Sequence, residues 1–199
     1  MKQITFEQYR NIDLTILVAL TVVFEAITTL ATAKWFYAQP IAISISLTLI
    51  CVAMMRWSGY AAVVAVTGGL VFSITSGATI EQYLIYCVGN LFALVALLVI
   101  KLWGKEKIRC SRPRLMLYVL VAYIGMALGR WLVSLLFGGD LMAFVVFITT
   151  DIITLLFAEI IILILRKVDG MIEDQKAYLF RLEREKQEKA NMDEAGEDY

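Results

Sequence analysis

The sequence predicts an all-α, six-helix polytopic membrane bundle with a cytoplasmic helical extension at its C-terminal end. Of its 199 residues, 60% are apolar. They gather in six long runs, and sixteen of the eighteen Lys and Arg fall on one side of the map those runs define. About 20 apolar residues span a hydrocarbon core of roughly 30 Å.

Taken in order, the runs are residues 12–33, 41–55, 60–75, 80–100, 115–137 and 141–165. Four suffice alone. The second and third are short, and need thinner local bilayer or shelter from their neighbours. Glu7 and Asp13 interrupt any signal-peptide pattern, so the first run is expected to be retained as a helix. Outer connections around residues 34–40, 76–79 and 138–140 are short and carry little charge. The inner connection 101–114 holds Lys101, Lys105, Lys107, Arg109, Arg112 and Arg114, with Pro113 among them, and reads as a hinge or docking segment. With Lys2, Arg10, Arg56 and the cations after residue 165, these place both termini in the cytoplasm by the positive-inside rule. The implied location is a bacterial-type cell membrane.

Residues 1–165 are thus the transmembrane domain. Residues 166–190 keep helical spacing of Val168, Ile172, Leu179 and Leu182 among charged residues, which predicts an amphipathic helix continuing the sixth span. Residues 191–199, acidic and glycine-containing, are expected to be disordered.

Composition excludes several functions. There is no histidine, and the three cysteines are scattered without CxxC spacing, so neither a metal nor a redox site is expected. Neither a phosphate-binding glycine loop nor a triad pattern is visible. The expectation is a non-enzyme without cofactor. The basic rim suits anionic lipid headgroups rather than nucleic acid.

Charge inside the membrane is costly, about 3 kcal/mol for an ionised group at a helix centre, and marks where function belongs. Glu25, Arg130 and Asp151 lie on three different spans, each roughly 20 Å above the cytoplasmic boundary at 1.5 Å per residue. Arg130 is placed to pair with either carboxylate or to grip an anionic or carbonyl group of a ligand. Gln82, Tyr86 and Asn90 recur every four residues and line one helix face. Thr149, Thr150 and Thr154 surround Asp151. Glu25, Gln82, Tyr86, Asn90, Arg130 and Asp151 are therefore the candidate substrate-binding residues, capped by the 76–79 loop, Trp35 and Tyr37; a buried ion-pair clamp is the alternative. Glu159 is expected to snorkel toward the inner boundary. Ala61, Ala65 and Gly69, with Ala42 and Ser46, form small-residue faces suited to close packing within the bundle.

The stretch 59–90, with GGLVF at 68–72, SGAT at 76–79 and YCVGN at 86–90, resembles the third helix, loop and fourth helix of the substrate-binding S-component of energy-coupling-factor transporters. The resemblance implies capture of a small polar, vitamin-like nutrient from outside. It also implies that helices one to three contact a membrane coupling subunit driven by two ATPases. The first helix departs from the family's Ala-xxx-Ala pattern, offering Thr29 and Ala33 at that spacing. The chain is also similar to the rod-shape-determining membrane subunit of the MreD type. That resemblance implies a scaffold without ligand, recruiting partners through the basic loop and terminal helix. Here VFSITSG stands where that family usually has an acidic residue.

Overall fold

The computed structural model describes residues 5–37 and 41–197. All its regular elements are helical: α1 (Phe6–Trp35), α2 (Ser46–Trp57), α3 (Ala61–Ser76), α4 (Ile80–Leu91), α5 (Leu97–Trp103), α6 (Lys105–Cys110), α7 (Arg112–Leu135), α8 (Leu141–Thr150), α9 (Ile152–Leu165) and α10 (Gln175–Glu197). Single 3-10 turns join α2 to α3 and α4 to α5. Four helical stretches are long and apolar enough to cross a membrane. They are Phe6–Trp35, Ser46–Ser76, Ile80–Trp103 and Arg112–Leu135, and the pair Leu141–Thr150 and Ile152–Leu165, bent by 44°, makes a fifth if taken as one span.

The 31 residues of Ser46–Ser76 do not form a straight rod. A Cβ added at Gly68 would lie 2.2 Å from Ser46 Oγ. In a continuous helix those residues would stand about 33 Å apart. The chain reverses at Ser58, whose φ of 53° is the one positive value among non-glycine residues described. So α2 and α3 are the arms of a hairpin. Its wall is Gly68, with Ala61 and Ala65 fully buried, which makes the small-residue face an internal packing surface.

Residues 41–45 are not helical, although they open the predicted second span. They lie beside the bend between α8 and α9 as irregular chain. The bend has a local cause. Thr149 and Thr150 return their hydroxyls to the carbonyls of Val145 and Val146 at 2.8 Å, a pattern that bends helices. The carbonyls it releases find other donors: Tyr123 Oη donates to Ile148 O at 2.5 Å, and Ala42 N to Thr150 O at 3.0 Å. Irregular backbone within a bilayer is tolerated when such groups are met by protein.

One end of the bundle collects α1's start, the α2–α3 turn, α6 and the segment after α9. Arg56 pairs with Asp13 at 2.6 Å and donates to the carbonyl of Gly170 at 2.7 Å. Trp57 Nε1 also donates to Asp13. Tyr9 Oη donates to Gln175 at 3.1 Å, and Lys105 pairs with Asp174 at 2.5 Å. Glu173 receives both Arg109 and Arg181.

Three expectations change here. The segment after residue 165 is not a straight continuation of the last span, because the chain turns through Gly170 at φ +73° and α10 starts at Gln175. Ile172 and Gln175 are 2% and 1% exposed, so this turn belongs to the core. Helix extends through Glu197, covering most of the stretch expected to be disordered; residues 198–199 lie outside the described part. In the basic loop, Ile108 is fully buried and Pro113 sits in the first turn of α7, where its missing N–H costs nothing.

Candidate functional site

Two glycines bring α4 and α7 together. A Cβ on Gly89 would meet the Arg130 backbone at 2.7 Å, and one on Gly129 would meet the Gly89 carbonyl at 2.5 Å. This close approach delivers the Arg130 side chain onto the face of α4. Its Nε donates to Asn90 Oδ1 at 3.0 Å, and the Asn90 amide donates to Ala65 O at 3.4 Å on α3. One terminal nitrogen, Nη1, pairs with Asp151. The other, Nη2, points at Met126 Sδ, 3.6 Å away. The guanidinium carbon stands 4.9 Å from the centre of the Tyr86 ring, which itself packs on Phe72 at 4.5 Å. Arg130 is 4% exposed and Asp151 5%. Asp151 is also the joint between α8 and α9, serving as C-cap of one and N-cap of the other.

Glu25 forms a second centre. It is fully buried in α1. Its Oε2 accepts from Ser44 Oγ at 2.9 Å, Ile45 N at 2.9 Å, Ser46 N at 3.0 Å and Ser46 Oγ at 2.8 Å. This carboxylate from α1 thus caps the N-terminus of α2, where the helix dipole favours negative charge. Oε1 is buried without a partner among the described residues, as are Thr29 Oγ1 and Ser73 Oγ. The two centres are tied by one strand of chain. Ser44 N donates to Thr154 Oγ1 at 3.0 Å, and Thr154 Oγ1 donates to Ala42 O at 3.2 Å. Glu25, residues 42–46, Thr154, Asp151, Arg130 and Asn90 therefore form one polar layer across α1, α2, α9, α7 and α4.

Of the six residues expected at the site, Tyr86, Asn90, Arg130 and Asp151 come together as one cluster. Glu25 joins through the non-helical segment entering α2. Gln82 stands apart: exposed, it accepts from Thr79 N at 2.9 Å in the capping box that starts α4. The expected cap also differs. Trp35 and Tyr37 are 74% and 89% exposed and do not cover the layer. Thr149 and Thr150 bond within their own helix rather than facing a ligand. Glu159 is only half-buried on α9.

Sequence reasoning missed Ser44, Ser46, Tyr123 and Met126. The Ser-Ile-Ser step at 44–46, just before an apolar run, is an N-cap signal that could have placed the helix start. Nothing local announces Tyr123 or Met126.

Comparison with protein-family models, with curated proteins and with solved structures found no match.

Proposed function

We propose that this chain is a six-pass membrane subunit, with both termini cytoplasmic, that captures a small polar nutrient on the outer side for an energy-coupling-factor type importer. The observation that carries the reading is the meeting of two interrupted helices at one charged level. The α8–α9 break and the non-helical segment entering α2 lie side by side, with Arg130, Asp151 and Glu25 around them. Discontinuous helices with ionisable side chains at mid-membrane are how transporters build binding sites. The α2–α3 hairpin supports counting two short passes within Ser46–Ser76. The even number that results fits the gathering of the start of α1 and the segment after α9 at the basic end.

In this reading Arg130 and Asn90 hold an anionic or carbonyl group of the nutrient in place of Asp151. The apolar outer face of α1, with Ile16, Val23, Ile27 and Leu30 all more than half exposed, is available to a coupling subunit.

Native mass spectrometry of gently purified protein tests the proposal by showing a retained small molecule. Arg130→Leu and Asp151→Asn are each expected to remove it while the protein still inserts. Binding that persists in the Arg130→Leu, Asp151→Leu double variant would reject the site.

A second reading, a scaffold of the MreD type, is favoured by one observation: every nitrogen of the Arg130 guanidinium already has a partner within the chain. A scaffold predicts no retained molecule and a double variant that folds at least as well as the unaltered chain.

A further inference from the structure

The basic end carries a second feature, separate from the polar layer. Between the start of α7 and the end of α9 lies a cavity of about 450 Å³ lined by Arg112, Arg166 and Lys167 on one side and Ile160, Leu163 and Ile164 on the other. Arg166 and Lys167 continue into an adjoining recess with Arg109, Cys110 and Asp169.

The charges there are uneven. Arg109 is taken by Glu173 and Glu106, and Asp169 by Arg181. Among the described residues, no carboxylate lies within 4.0 Å of Arg112, Arg166 or Lys167. Arg166 is pinned by donating from Nη2 to Cys110 O at 3.1 Å, and its Nη1 is buried with no acceptor among the described residues. The α7 N-terminus beside it has no side-chain cap from Ser111. Its first-turn amides and helix dipole add to the positive potential. Directly next to these donors, Ile160 and Ile164 are 58% and 60% exposed on the apolar surface of α9.

We propose that this cavity is a binding site for the headgroup of an anionic phospholipid. The phosphate sits between Arg112 and Lys167, with the Arg166 guanidinium in the cavity wall, and an acyl chain runs along Ile160 and Ile164. The juxtaposition of unpaired cations with exposed aliphatic side chains at a helix end selects a lipid over a free anion, since a free anion gains nothing from the apolar wall. Zwitterionic lipid offers the same chains, but its own ammonium cancels the attraction.

The test titrates the full chain in detergent with phosphatidylglycerol or phosphatidylcholine and counts bound lipids by native mass spectrometry. Arg112→Gln with Lys167→Gln removes two cations from the cavity. Lys101→Gln with Lys107→Gln removes two exposed ones from the same end of the bundle. Each cation near a lipid surface contributes about fivefold, so the cavity double should weaken phosphatidylglycerol binding roughly thirtyfold. The control double should change it by less than about threefold.

In the unaltered protein, phosphatidylglycerol should also shield Lys167 from acetylation where phosphatidylcholine does not, a readout that needs no variant. Equal losses in the two doubles, or equal binding of the two lipids, would overturn the proposal in favour of diffuse attraction. Displacement of phosphatidylglycerol by millimolar inorganic phosphate would overturn it in favour of a simple anion site.

Discussion

Glu25 caps a helix to which it does not belong. Four donors from residues 44–46 converge on one of its oxygens, so its removal strands them inside the bundle. Glu25→Ala is expected to cost about 3 kcal/mol, by leaving buried donors unmet and a helix start uncapped. Glu25→Gln keeps an acceptor and should cost about 1 kcal/mol. Unfolding of the detergent-solubilised variants separates the two. Gly89 sets a different constraint, because its missing Cβ is the space in which the Arg130 backbone lies. Gly89→Ala is expected to push α4 from α7 and destabilise by about 1–3 kcal/mol. It should also loosen the Arg130–Asn90 contact. Gly77→Ala has open space around it and only its φ of +68° to oppose it, so about 1 kcal/mol is expected. Equal losses at the two glycines would contradict the close-packing account.

The segment joining α9 to α10 determines how much of the chain the fold needs. Ile172 and Gln175 are buried, and Glu173 and Asp174 receive cations from α6. Deleting everything after Lys167 removes these contacts and should lower the thermal midpoint or cause aggregation on extraction. Deletion after Glu185 should leave the midpoint unchanged, since the described ties end at that residue. Sequence spacing alone favours a tail that can be cut without harm at residue 167; it is the buried turn that makes the difference. The Lys105–Asp174 tie also responds to pH. Partial burial raises the Asp174 carboxyl, but the Lys105 hydrogen bond and charge, with the amides of Ala177 and Lys176, outweigh it and hold it below the usual range. A depressed native value contributes stability above the unfolded value of about 3.9 and loses it as pH falls through the native value. Asp174→Asn should therefore lower the thermal midpoint at pH 7, by an amount that shrinks as pH falls below about 3.9. A difference that grows on acidification would have the wrong sign for this pair.

Across the whole molecule, the ion pairs of one end and the sparsely charged turns of the other make the two ends of the bundle unlike. Cysteine placed at Gly77 or Gly138, where added atoms meet open space, should react with impermeant reagent outside sealed cells. Gly138 is preferred to Gly139, whose Cβ would meet Ser134. Cysteine at Lys105 should react only after permeabilisation. Labelling of position 105 in sealed cells would reverse the orientation, and with it the side from which a nutrient enters.

The sequence by itself determined the class of molecule: apolar runs of membrane length are a local property, as is the one-sided placement of cations. It also located Arg130, Asp151 and Asn90, because a charge or amide in an apolar run is conspicuous wherever its partner lies. Tertiary structure alone decided which carboxylate Arg130 takes, since sequence spacing assigns Glu25 and Asp151 the same depth and only packing distinguishes them. Glu25 was claimed by the backbone donors of a helix start that apolar composition had concealed. Gln82 has the same four-residue spacing as Tyr86 and Asn90 yet serves its own helix as a cap. Spacing fixes the face of a helix, but the position along it decides whether a neighbouring helix or a loop is there to meet the side chain.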